Sequence, residues 1–435
     1  NNHTIARSKY IQRGSIITSD GVTLAESLQQ EDGTYARSYP NGNMAAHVVG
    51  YVSQQYGTAG VESVMNETLT GSKDYSSWNN ALASLAGQNQ PGNTAKLTID
   101  SRIQTAAEQA LKGFKGAVVV MDPRTGAVLA CASSPTYDNT NIDALMQSGG
   151  GEDGSMYDRA MDALYTQGST FKVVTLSAAL ETGTASLTST YQAPGSMDIG
   201  NAPVTNDANE SYGTISLQQA FAVSSNVVFG QVANEIGANA LVQFANAFGY
   251  GQKLGQDLTS TASIMADPSL MTEWEIAWAG AGQPVGMDHT PGPQTTVMQN
   301  CVIAAAIANS GVVMDPFFVA QVLAPDGTVV KTTQSRSLGQ AVSATTADQV
   351  KQAMLAVVQS GTGTDAQIPG VKVAGKTGSA ETGGTNVNSM FVGFAPYDSP
   401  TVAISVALED YDKHDVTAAK IAGIVLTAAL AAQGA

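Results

Sequence analysis

The chain is short of charge, aromatic residues, histidine, cysteine and long apolar runs, and each shortage removes a class of protein. Only 13% of its 435 residues are charged, against about 25% in an ordinary soluble domain. Basic residues are the scarcer kind: 20 Lys+Arg stand against 36 Asp+Glu, a net charge of −16. That balance argues against a nucleic-acid binder, which needs a basic patch or stripe, and against peripheral attachment to an anionic membrane surface. The longest apolar run, Ile421 to Ala432, is interrupted by Thr427 and covers 12 residues. A spanning helix needs about 20. The N-terminus, Asn1-Asn2-His3-Thr4, has no initiator Met and no apolar signal region, so the chain reads as the trimmed remainder of something longer. Cys131 and Cys301 fit neither a disulfide framework nor a metal site. Each reads as a small buried apolar residue, with a pairing between them as the lesser alternative. His3, His47, His289 and His414 are scattered and read as surface or loop residues, and no His/Cys cluster offers a zinc site.

What is present divides the chain in two. The first ~95 residues are turn-rich and lack helical periodicity, with short strands expected at Ser15–Thr18 and Val22–Ala25 around Asp20-Gly21. Ser84 to Thr94, rich in Gly, Asn and Gln, reads as a linker or exposed loop. Ala95–Asp100 reads as a strand and Ser101–Lys112 as a helix. Ala117–Met121 and Ala127–Cys131 flank Asp122-Pro123-Arg124-Thr125-Gly126, where Pro presets φ and Gly accepts a positive φ, so a hairpin is expected. Ser169 to Asn309 reads as mostly helical with Gly-rich interruptions. Strands return at Val371–Ala380, Ser389–Ala395 and Val402–Leu408, before a last packed helix from Val416 to Ala432. This order predicts an α+β domain with one sheet built from both of its ends and flanked by helices.

Three short patterns carry chemistry. Ser169-Thr170-Phe171-Lys172 is expected to open a helix that stops at Glu181-Thr182-Gly183. Positions i and i+3 share a helix face, so Lys172 can reach the Ser169 hydroxyl. Serine is a weak nucleophile until a base takes its proton, and a lysine does so only when burial or nearby positive charge keeps it neutral. Ser224-Ser225-Asn226 falls between the helical stretches Leu217–Val223 and Val227–Glu235, where Ser224 could pass a proton to a leaving amine and Asn226 could hold a substrate carbonyl or Lys172. Ser77-Trp78-Asn79 repeats the Ser-x-Asn pattern and reads as a loop. Lys376-Thr377-Gly378 lies on a strand whose glycines let a ligand approach the backbone. Lys376 supplies positive charge, and Thr377 and Ser379, two residues apart, face one way to receive a carboxylate. A lone Ser-x-x-Lys occurs about once by chance in a chain like this. The combination, in this order and on these elements, is what carries weight.

With these motifs the chain resembles a penicillin-binding protein, specifically a class B D,D-transpeptidase of peptidoglycan synthesis, within the actinobacterial penicillin-binding protein A group. Arg13-Gly14-Ser15-Ile16, Asp20-Gly21, Ser38-Tyr39-Pro40, Gly57 and Ala59-Gly60-Val61-Glu62 look like the class B pedestal. Asp122 to Gly126, Ala304 to Gly311 and Gly361-Thr362-Gly363 look like the transpeptidase domain. The resemblance implies a smaller β-rich, non-catalytic pedestal over residues 1–95. It implies a transpeptidase or serine β-lactamase-like domain over 96–435, with an antiparallel sheet flanked by helices.

It also implies roles. Ser169 is acylated by the penultimate D-Ala carbonyl of a stem peptide, and Lys172 takes its proton. Ser224 relays that proton to the leaving D-Ala, and Asn226 positions the acyl-chain amide. Lys376 supports Ser224, while Thr377, Gly378 and Ser379 form the strand that takes the terminal carboxylate. The N–H groups of Ser169 and Ser379 form the oxyanion hole. An amine of a second peptide then closes the cross-link, and β-lactams trap Ser169. No cofactor and no metal is needed. Implied besides are a membrane glycosyltransferase partner, work at the extracytoplasmic face of the membrane, and a single N-terminal anchor outside this chain. The alternatives are a serine β-lactamase and a non-catalytic β-lactam sensor or wall-binding scaffold. Glu235 and Asn239 have the spacing of the β-lactamase deacylation pair, but they follow Asn226 too soon and read as a helix end.

Overall fold

The computed structural model describes residues 9–73, 91–381, 387–411 and 416–434. The Ser77–Asn79 repeat, most of the Ser84–Thr94 loop, His3 and His414 lie outside the described residues.

The larger domain holds a sheet of five strands, all antiparallel, in the spatial order Ala374–Glu381, Val387–Ala395, Val402–Tyr411, Gly116–Met121, Val128–Ser134. Its first two strands in the chain pair beside its last three, so both ends of the domain build one sheet, as the element order predicts. Every residue of Gly116–Met121 is buried, because helices cover both faces and such a strand must be apolar on both sides. Val118 and Val120 pack with the helices Ser101–Ala110 and Ala418–Gln433. Val119 and Met121 join the core that contains the helix Val297–Ala308. The hairpin between the first two strands turns at Gly126, whose φ of +85° suits a residue without Cβ. A Cβ there would also stand 2.6 Å from Asp315 O.

The N-terminal region builds a second sheet of six strands, ordered Val329–Thr332, Val319–Leu323, Thr94–Leu97, Ile16–Ile17, Thr23–Gln29, Tyr35–Ser38. Ile16–Ile17 runs parallel to Thr94–Leu97 and antiparallel to Thr23–Gln29. Two of its strands come from residues 319–332, far along the chain, and Val319–Leu323 pairs directly with Thr94–Leu97. Two residues of the pedestal resemblance meet here: Arg13 Nη2 lies 2.8 Å from the fully buried Glu62, which also takes Arg37 Nε at 2.6 Å.

Three expectations change. The middle of the chain is not helical throughout: two strand pairs, Thr190–Ala193 with Gly213–Ser216 and Ser196–Ile199 with Ala202–Thr205, interrupt it. His47 is not a surface or loop residue. It sits on the short helix Ala46–Val49, with Nε2 2.8 Å from Ser155 O and its ring edge-on to Tyr137. Burial holds its imidazole below the usual histidine range. The strand expected from Val371 begins at Ala374. Both cysteines are free and buried, and His289 is exposed. No helix among the described residues is long and apolar enough to cross a membrane.

Candidate active site

Ser169 sits in a tight turn rather than at the start of an α-helix. Gly168–Phe171 is a 3₁₀ turn, and the α-helix Lys172–Glu181 begins only after it. The difference favours the chemistry, because in a 3₁₀ turn residues i and i+3 eclipse. Lys172 therefore lies directly under Ser169, with Nζ 2.9 Å from Oγ. The turn is wedged on two sides. Gly168 N–H donates to Gly282 O at 2.9 Å, and a Cβ on Gly168, whose φ is +58°, would stand 2.6 Å from Ser379 O. The third-motif strand thus passes against the backbone of the nucleophile.

Lys172 is fully buried, and its Nζ has four oxygens around it. Asn226 Oδ1 is at 2.7 Å, Ser224 O at 2.8 Å, Ser169 Oγ at 2.9 Å and Ser224 Oγ at 3.2 Å. The first two can only accept. Asn226 is held in that orientation because its Nδ2 donates to Thr205 O at 3.0 Å. A neutral amine has two N–H groups and one lone pair. With both N–H groups given to Asn226 Oδ1 and Ser224 O, the lone pair is left for the Ser169 hydroxyl. Burial first, and the nearby Lys376 second, push the Lys172 ammonium well below the ordinary lysine range, against a smaller opposing pull from Asp207. The aromatic rings of Phe229 and Phe221 lie 5.7 and 5.6 Å from the ammonium nitrogens of Lys172 and Lys376 and supply the low-dielectric wall.

Ser224 has a φ of +62°, the left-handed region that a non-glycine side chain rarely adopts and that collects at functional sites. It joins the helices Leu217–Ala222 and Asn226–Ile236. Its Oγ accepts from Lys376 Nζ at 2.9 Å, so both lysines converge on this one hydroxyl. Ser225 caps the second helix and donates to Asn206 Oδ1 at 2.9 Å, while Asn206 also accepts from Val227 N–H at 3.1 Å. Lys376 is fully buried and also donates to Thr377 O at 2.9 Å. Burial brings its ammonium down to about 7. Lys376 and Gly378 are buried while Thr377 is half-buried and Ser379 exposed, the alternation a strand requires. A Cβ on Gly378 would crowd Thr170 Cγ2 at 3.0 Å, which explains the glycine between two open hydroxyls.

The structure therefore brings Ser169, Lys172, Ser224, Asn226, Lys376, Thr377, Gly378 and Ser379 to one place. Glu235 and Asn239 are not part of it: they lie on successive helices on either side of Gly237, and Glu235 accepts from Tyr191 OH at 2.9 Å. Three contributors escape a reading of motifs. Asn206 and the Thr205 carbonyl orient the second motif, and Thr362 bonds to Thr377 through its hydroxyl, 2.5 Å away. The Gly361-Thr362-Gly363 pattern was visible, but nothing in it assigns a role. Among the described residues no group of His, Cys, Asp or Glu is arranged to hold a metal ion.

Known proteins resemble this chain along nearly its whole length. Residues 116–430 match the family described as the penicillin binding protein transpeptidase domain, and residues 13–95 match the penicillin binding protein A dimerisation domain. The chain is 31% identical to the peptidoglycan D,D-transpeptidase PbpA of Mycolicibacterium smegmatis, over 99% of this chain and 91% of that protein. It superposes with a TM-score of 0.90 and 43% identity on the D,D-transpeptidase domain of a peptidoglycan glycosyltransferase from Eggerthella lenta, covering 98% of this chain and 99% of that one. The imipenem acyl-enzyme complex of penicillin-binding protein A from M. tuberculosis gives a TM-score of 0.88 at 30% identity, with 98% and 99% covered. From its site geometry and from these matches along nearly its whole length, the chain belongs to the penicillin-binding proteins, in the group that resembles penicillin-binding protein A.

Proposed function

We propose that this chain is a serine-type peptidoglycan D,D-transpeptidase that joins stem peptides through an acyl-enzyme on Ser169. The observation that carries the reading is the environment of Lys172, a buried amine with two acceptor-only oxygens for its N–H groups and its lone pair left for Ser169. Ser169 Oγ attacks the penultimate D-Ala carbonyl while its proton passes to Lys172. The peptide bond breaks, and the leaving D-Ala amine takes a proton through Ser224, which both lysines reach. Ser169 N–H and Ser379 N–H hold the oxyanion, a contribution usually worth about 2.7–4 kcal/mol per donor. Asn226 positions the acyl-chain amide, and Thr377 and Ser379 receive the terminal carboxylate. An amine of a second stem peptide attacks the ester, restores Ser169 and forms the cross-link. A β-lactam offers the same carbonyl and carboxylate and leaves Ser169 blocked. A β-lactamase reading is disfavoured because Glu235 is engaged by Tyr191, away from Ser169.

The same reading assigns residues 1–95 to a non-catalytic pedestal and 96–435 to the transpeptidase domain. It places the work at the extracytoplasmic face of the membrane, where the wall polymer is, beside a membrane glycosyltransferase that makes the strands. The test is to incubate the protein with a penicillin and follow intact mass and free product. A stable adduct that Ser169→Ala abolishes is expected, together with transfer of an acyl group from a thioester donor to an amine. Rapid release of hydrolysed penicillin would overturn the reading in favour of a β-lactamase, and an adduct without any transfer would overturn it in favour of a sensor.

A further inference from the structure

Thr362 occupies the turn after the helix Ala344–Ser360 and joins two walls of the site. Its N–H donates to Ala222 O at 3.2 Å, two residues before Ser224. Its hydroxyl meets that of Thr377 at 2.5 Å, with either atom able to donate. The turn is closely fitted there, since a Cβ on Gly361 would stand 2.4 Å from the same Ala222 O. One exposed threonine thus straps the segment leading into Ser224 to the strand that carries Lys376.

Proton bookkeeping sets the direction of the hydroxyl pair. Each hydroxyl has one proton and two acceptor positions, and an ionised carboxylate only accepts. If Thr377 gave its proton to Thr362, it would present lone pairs to an incoming carboxylate. If Thr362 donates instead, Thr377 keeps its proton for the carboxylate, and accepting one bond strengthens the bond it donates.

We propose that Thr362 is a positioning residue for the substrate carboxylate: it donates its hydroxyl proton to Thr377, so that Thr377 is held to donate to the terminal carboxylate of a stem peptide or β-lactam. The inference rests on the carboxylate role proposed for Thr377. Thr362 acts through Thr377, so its loss affects only ligands that carry the carboxylate.

The experiment compares second-order acylation rate constants for a penicillin and for its methyl ester. It uses the full chain and the variants Thr362→Val, Thr362→Ser and Thr377→Val. Thr362→Val is expected to slow the acid by about tenfold, the scale of one hydrogen bond to a charged group, and to leave the ester unchanged. Thr362→Ser is expected to restore the acid rate. Equal losses on acid and ester would overturn the inference, as would an acid-selective loss in Thr377→Val with none in Thr362→Val, which leaves the carboxylate role of Thr377 standing. No acid selectivity in Thr377→Val would overturn that role and the inference together. Thermal melting checks each fold, and Thr362→Ala replaces Thr362→Val if the latter melts early.

Discussion

Asn226 accepts from Lys172 at 2.7 Å, a shorter contact than the 2.9 Å between Lys172 and the nucleophile. The amide therefore does more than fill space. It occupies one N–H of the base, and with Ser224 O it decides which side of the nitrogen faces Ser169.

Asn226→Asp keeps the shape and changes the charge. A carboxylate beside Lys172 favours its protonated form and raises its pKa. Penicillin acylation at neutral pH is expected to fall by about tenfold or more, with the rising limb of its pH profile moved about one unit or more toward alkali. An unmoved limb would refute the orienting role.

The two lysines together set the pH dependence of acylation. Lys172 is depressed by burial and by Lys376, so the rate rises as pH climbs through a value well below the ordinary lysine range. Lys376 loses its charge near 7, so the rate for a carboxylate-bearing penicillin is expected to decline above that point. A stopped-flow profile that continues to rise to pH 10 would contradict this assignment.

Lys376→Met separates stability from activity. Burial lowers the Lys376 pKa from 10.5 to about 7, so between those values the unfolded chain binds the extra proton and stability rises with pH. The penalty is full below about 7 and gone above 10.5. Replacement by an apolar side chain is expected to raise the melting temperature at pH 6 by at least about 2–4 °C, with the gain shrinking toward pH 10, while acylation is lost. A lower melting temperature at pH 6 would count against it.

Gly280 allows the helix Glu273–Ala281 to lie against Asn226–Ile236. A Cβ at Gly280 would stand 2.2 Å from Ala233 Cβ, so Gly280→Ala is expected to cost about 1–3 kcal/mol in urea unfolding. Because the displaced helix begins at Asn226, acylation should slow as well. Unchanged stability would mean that the helix pair yields freely.

Much of this was legible in local sequence. The Asp122–Gly126 hairpin was readable because Pro and Gly each have one reason to stand in that turn. Lys172 could be placed near Ser169 because a three-residue offset stacks them in either kind of helix. The strand pairs between Thr190 and Ser216 escaped, since their strands of four residues are nearly all exposed or half-buried and carry no sustained apolar alternation. The Thr205 carbonyl escaped for a different reason: a backbone acceptor leaves no mark in the side chains. The partnership of Thr362 with Thr377 spans 15 residues and depends on where a turn closes. Pairing of residue 319 with residue 97 depends wholly on the finished topology.

That last pairing has a consequence in time. Chains leave the ribosome N-terminus first, at roughly 5–20 residues per second. The strand Thr94–Leu97 must wait for a neighbour that starts at Val319, so the N-terminal sheet spends on the order of ten to forty seconds of synthesis with an open edge. A region that begins the chain is thus completed only after most of the domain that follows it has been made, while three strands of the five-stranded sheet, Ala374–Glu381, Val387–Ala395 and Val402–Tyr411, are still to come.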